Sequence, residues 1–82
     1  MIEAQLHSGQ IVTFDGRVLE IFEAARSSRR HHLAQLAAPR FDGDPEAGYT
    51  LTLDGASEEL RFAGHELPIA KRLLAAIGRS QA

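Results

Sequence analysis

The sequence predicts a mainly β protein with one C-terminal α-helix, built as a bent antiparallel sheet or partly open barrel that the helix closes. Three observations carry this expectation. Short apolar segments recur at hairpin spacing from Ile2 onward, with turn residues between them. The pair Asp15-Gly16 stands between two such segments, where it favours a two-residue type I′ turn whose twist matches that of the flanking strands. Only one stretch, 66–77, has helical periodicity, and it comes last.

A first strand is expected over Ile2–His7, with Ile2, Ala4 and Leu6 on one face, and Ser8-Gly9 turns it. The second strand covers 10–14, where Ile11–Phe14 supplies β-branched and aromatic residues. The return strand, 17–23, has Leu19 and Ile21 on one face and Val18, Glu20 and Phe22 on the other, the mark of a central or covered strand. Small and charged residues predict a loop at Ala24–Arg30. A fourth strand follows over 31–38, with His31, Leu33 and Gln35 on one face and His32, Ala34 and Leu36 on the other.

Pro39 cannot donate to a ladder, so Pro39–Phe41 is at most an irregular seventh strand, and Arg40–Gly48 is the longest expected loop, with Phe41 dipping back to the core. Tyr49–Leu53 alternates Tyr49, Leu51 and Leu53 against Thr50 and Thr52. A turn at D-G-A-S leads to a strand over 58–62, with Leu60 and Phe62 inward and Glu59 and Arg61 outward. That makes six strands. In the helix, Leu67, Ala70, Leu73, Leu74 and Ile77 form the apolar stripe, and Lys71, Arg72 and Ala75 lie opposite. Pro68 fits a first turn, Gly78 is expected to end the helix in the left-handed conformation, and Arg79 suits the negative end of the dipole.

Eighty-two residues predict one domain, 1–82, which buries only roughly 60–65% of its unfolded surface. No apolar run reaches the ~18–20 residues of a membrane span. The first seven residues contain Glu3 and no Lys or Arg, so the basic start of a secretion signal is missing and a cytoplasmic location is expected, with peripheral membrane association left open. The lack of cysteine removes disulfides, thiolate zinc sites and thiol nucleophiles together. A net charge of −2 argues against a nucleic-acid partner. The charge is uneven: Ala24–Phe41 holds four arginines and no acid, whereas Asp42–Glu59 holds six acids and no base, which predicts a polar surface with distinct ends.

V-T-F-D-G-R-V-L-E-I at Val12–Ile21, S-R-R-H-H-L-A-Q-L at Ser28–Leu36, and L-R-F followed by a helix ending L-L-A-A-I together resemble short bacterial pleckstrin-homology-like domains of uncharacterised function. The resemblance spans roughly Ile11–Ile77, and its motifs are turn and core signatures that specify fold more than function. It implies seven strands and a terminal helix, and it implies that homo-oligomers occur among relatives. The chain departs from the phosphoinositide-binding members. It lacks their R-x-R or K-x-R pair after a basic first hairpin, and the tryptophan of their terminal helix is missing. With Ile2–His7 as strand one, the basic loop joins strands three and four at the open, ligand-binding end of the resembled fold. With Ile11–Phe14 as strand one, it lies at the other end.

Arg26, Arg29, Arg30 and His31 are the candidate anion- or partner-binding residues, since guanidinium groups form bidentate bonds to phosphate or carboxylate. The alternative is a solvated loop. His7, His31, His32 and His65 have no metal-ligand spacing, and adjacent strand residues point to opposite faces, so no metal is expected. Asp42-Gly43-Asp44 with Glu46 lacks the terminal glutamate and flanking helices of a calcium loop. No serine sits in a G-x-S-x-G elbow and no glycine-rich cradle is present, so neither catalysis nor a cofactor is expected. The sequence therefore points to a non-enzymatic binding module for an acidic partner or an anionic membrane surface. Self-association or peptide binding through sheet edges is the alternative. A small enzyme or metal-dependent protein ranks below both.

Overall fold

The computed structural model describes residues 1–24 and 26–81, the side chains of residues 26 and 27 excepted. β1 (Ile2–Gln5), β2 (Ile11–Phe14), β3 (Val18–Glu23) and β4 (Arg26–His32) pair in chain order as one antiparallel sheet. β5 (Arg40–Asp44), β6 (Gly48–Leu53) and β7 (Glu58–Phe62) form a second, and α1 (Leu67–Gln81) ends the fold. Among the described residues no ladder joins the two sheets, so they stay a partly open sandwich rather than a closed barrel. The expected class, mainly β with one C-terminal helix, is the class observed.

Alternation builds the core. Val12 and Phe14, Leu19 and Ile21, Leu51 and Leu53, and Leu60 and Phe62 point inward from four strands. Ala70, Leu73 and Ile77 of α1 pack into the same cluster. β3 is an inner strand, and its second face keeps Val18 and Phe22 half-buried, as apolar groups on both faces imply. The stripe read for the helix is the one it buries, with Leu67 and Leu74 at its half-buried margins.

Several boundaries differ from expectation. The loop expected at Ala24–Arg30 is largely β4, and the strand expected at 31–38 stops at His32. Leu33–Leu36 coils into a 3-10 turn: the Leu33 N–H makes a last bond to the Arg17 carbonyl at 2.8 Å, the Gln35 side-chain oxygen accepts the His32 N–H at 3.0 Å, and Leu36 becomes fully buried. The Ala-rich run after Leu33 has little strand propensity to oppose this. The expected loop Arg40–Gly48 is instead a hairpin in which Arg40–Asp44 makes a regular seventh strand, with Phe41 stacked on Tyr49 at 5.4 Å. Pro39 stands just outside that strand, where its missing N–H disturbs no pairing.

The Asp15-Gly16 turn is present but is not type I′. Positive φ occurs at Gly16 alone, and Asp15 works as a cap, its carboxylate accepting the Arg17 and Val18 N–H groups, both at 2.8 Å. The helix does not end at Gly78 but continues to Gln81, whose side chain donates to the Leu33 carbonyl at 3.4 Å. A glycine inside a helix costs about 1 kcal/mol relative to alanine, yet the helix runs through Gly78 for one more, largely exposed turn. Before the helix, Gly64 is needed for close approach, because a Cβ there would lie 2.1 Å from the Pro45 carbonyl oxygen at the β5–β6 tip.

Candidate functional site

The register of β3 with β4 decides what each basic residue does. Ile21 lies opposite Arg29 and Leu19 opposite His31, so these two polar side chains take the inward face that Leu19 and Ile21 share. Glu20 lies opposite Arg30, which turns outward. The arginine run is thereby divided between two faces. Arg29 is 19% exposed, whereas Arg30 is 69% exposed and only 3.9 Å from Glu20, a surface pair of small energetic weight. Arg26 belongs to β4 opposite Glu23, and its side chain lies outside the described residues.

Inside, Arg29 and His31 meet Glu58, the first residue of β7 and 7% exposed. Arg29 donates to both Glu58 oxygens, through Nε to Oε2 and through Nη2 to Oε1 at 3.0 Å. Its Nη2 also reaches Glu23 Oε1 at 3.0 Å. His31 Nε2 is 2.7 Å from Glu58 Oε2. Burial pushes the Glu58 carboxyl up, but the hydrogen bonds and charges of Arg29 and His31 outweigh it, so the group sits below its ordinary range. The same bonds hold Arg29 protonated beyond its usual range, against its own desolvation. Arg29 Nη1 is buried without a hydrogen-bond partner among the described residues.

A second polar join adjoins the first. Gln10 is 2% exposed and uses its amide like a strand backbone: Nε2 donates to the Glu59 carbonyl at 3.1 Å, and Oε1 accepts the Arg61 N–H at 3.0 Å. Nε2 also reaches Glu23 at 3.0 Å. Farther along, the buried Glu66 carboxylate accepts the Ala63 N–H at 2.8 Å and the His7 N–H at 3.0 Å, fixing the β1–β2 loop to the end of β7. A depression of about 210 Å³, lined by Ser8, Gly9, Gln10, Glu23, Ala24 and Arg61, lies nearby.

The other candidates do not gather. His31 faces in and His32 is exposed, while His7 and His65 meet edge to face at 6.0 Å beside the start of α1. Among the described residues no three metal-ligating side chains come together. Asp44 caps its own turn by accepting the Glu46 and Ala47 N–H groups. Glu58 and Gln10 were not among the residues singled out from the sequence. Glu58 did leave a signal, since it shares the parity of inward-facing Leu60 and Phe62, and an acid on an inward face requires a cation across from it.

No family model, curated protein or solved structure matches the chain. Among the described residues no helix is long and apolar enough to cross a membrane. The cluster's chemistry is that of a clamp: Glu58 accepts three bonds from two neighbours, which ties the face of β4 to β7 across the sandwich.

Proposed function

We propose that the chain is a non-enzymatic interaction module of the pleckstrin-homology-like type, which takes an acidic, extended partner along the outer edge of β4. The carrying observation is Arg30, which stands 69% exposed on a strand that ends its sheet. An edge strand offers backbone donors and acceptors to an added strand, and a neighbouring cation selects an acidic one. Arg29 and His31 are committed to Glu58, so the contact set narrows from the whole arginine run to Arg30 with the exposed Ser28 and His32 on its face. The four-plus-three strand order followed by a single helix supports the pleckstrin-homology-like reading.

The test is a fluorescence titration with a labelled Asp/Glu-rich peptide. Binding should weaken by at least about tenfold in Arg30→Glu. The substitution should leave stability within about 0.5 kcal/mol, because the site is exposed. Peptide binding that ignores Arg30→Glu, or capture only by anionic vesicles, overturns the acidic-strand reading.

A further inference from the structure

A second charged surface lies on α1. Lys71, Arg72 and Arg79 are exposed and, with Ala75 and Ile2, line a groove of about 320 Å³ between the helix and the start of β1. The helix contains no acid from Leu67 to Gln81. Glu3 is on the face of β1 opposite to Ile2. Among the described residues none of the three cations has an ion-pair partner. The β5–β6 hairpin carries the complementary charge: Asp42, Asp44 and Glu46 are exposed around its tip, and none of them forms an ion pair among the described residues. Arg40, the cation on the same strand, is tied to Asp54 at 3.0 Å.

Among the described residues no ion pair joins these two surfaces within one molecule. The hairpin tip rests against Gly64, before the helix begins, as the 2.1 Å separation between a Gly64 Cβ and the Pro45 oxygen requires. Arg79 lies a further 12 residues beyond Leu67, or about 18 Å along the axis at 1.5 Å per residue. We infer that the helix groove receives the β5–β6 tip of a second copy, with Asp42, Asp44 and Glu46 facing Lys71, Arg72 and Arg79. Because each copy carries one acidic tip and one basic groove, the contact is head-to-tail and repeats from copy to copy. It uses neither Arg30 nor the edge of β4, so it stands or falls separately from the acidic-strand reading above.

The experiment is sedimentation of the full chain across concentration, with circular dichroism as the check of fold. Association is expected at low ionic strength and should fade at about 0.5 M salt, where exposed charges are screened. Lys71→Glu with Arg72→Glu, and separately Asp42→Lys with Asp44→Lys, should each weaken association by at least about tenfold while the fold is retained. Mixing the two variants should restore it, since the reversed tip then meets the reversed groove. A wild type that stays monomeric at high concentration and low salt overturns the proposal. So do variants that associate normally, or a mixture that fails to recover. Binding to anionic vesicles by a monomer, lost in Lys71→Glu with Arg72→Glu, would assign the groove to a membrane surface instead.

Discussion

β4 and β7 are both outer strands, and the molecule finishes them in opposite ways. β7 has β6 on one side and side chains on the other, with the Gln10 amide bonded to Glu59 and Arg61 and the Glu66 carboxylate bonded to Ala63. β4 ends its sheet with an exposed Arg30, yet its inner face sends Arg29 and His31 across to Glu58. One strand is sealed along its edge, and the other is tied through its face. The difference teaches how two short sheets without a common ladder are held together. Leucines and phenylalanines fill the space between them, while polar side chains fix how the sheets meet.

The largest test of this contrast is Glu58→Gln against Arg30→Gln. Replacing Glu58 leaves the partly buried Arg29 beside a neutral amide with Glu23 as its remaining carboxylate, which should lower stability by about 2–4 kcal/mol, below the cost of breaking a fully buried pair because Arg29 keeps that partner and some water. In a chain of this size each kcal/mol lowers the melting temperature by roughly 4–8 °C. Arg30→Gln removes only a surface pair and should stay within about 0.5 kcal/mol. Urea denaturation measures both. Equal costs would show that the inner and outer arginines are energetically alike and remove the clamp from the account.

Gln10→Ala sharpens the other half of the comparison. It strips the edge of β7 of a donor and an acceptor, with an expected loss of about 1–3 kcal/mol and faster hydrogen exchange at the Arg61 amide. Gln10→Glu should be worse than alanine, since a carboxylate accepts the Arg61 N–H but cannot donate to the Glu59 carbonyl, and it would face Glu23. Unchanged exchange at Arg61 in Gln10→Ala would show that the edge is closed by something other than this amide.

The sequence carried the class, the core parity and the helix stripe, because each depends on local periodicity that residues such as Leu19, Ile21, Leu60, Phe62 and Leu73 display directly. It misplaced β4 because Arg26–Arg30 looks like a solvated loop until a partner 29 residues away, Glu58, accounts for an inward arginine. It misplaced β5 because Pro39, Gly43 and Pro45 read as breakers, although both prolines stand just outside the ladder. Gln10 was invisible for a related reason: nothing local distinguishes a glutamine at the start of an expected strand from one whose amide replaces a neighbouring strand. The candidate arginines share one element, but it is a strand and not the expected loop, and which face each takes is set by the register with β3.

The smallest effect concerns pH, and it separates charge from shape at Glu58. Its carboxyl is held below the ordinary range, so as pH falls beneath the unfolded value of about 4.3 the unfolded chain takes up the proton first. The clamp's contribution is therefore full above that value and is lost as pH falls through the lower, native one. Asp15 moves in the same direction, because the Val18 and Arg17 N–H groups favour its charged form, and it sits on an exposed turn. Urea midpoints measured from about pH 7 down to about pH 3 should thus decline for the wild type in the acid range. Glu58→Gln, already without the charge, should decline less, so the gap between the two proteins narrows. A gap that stays constant to the acid end would mean that Glu58 holds β4 by the shape of its hydrogen bonds, with its charge contributing nothing to the join.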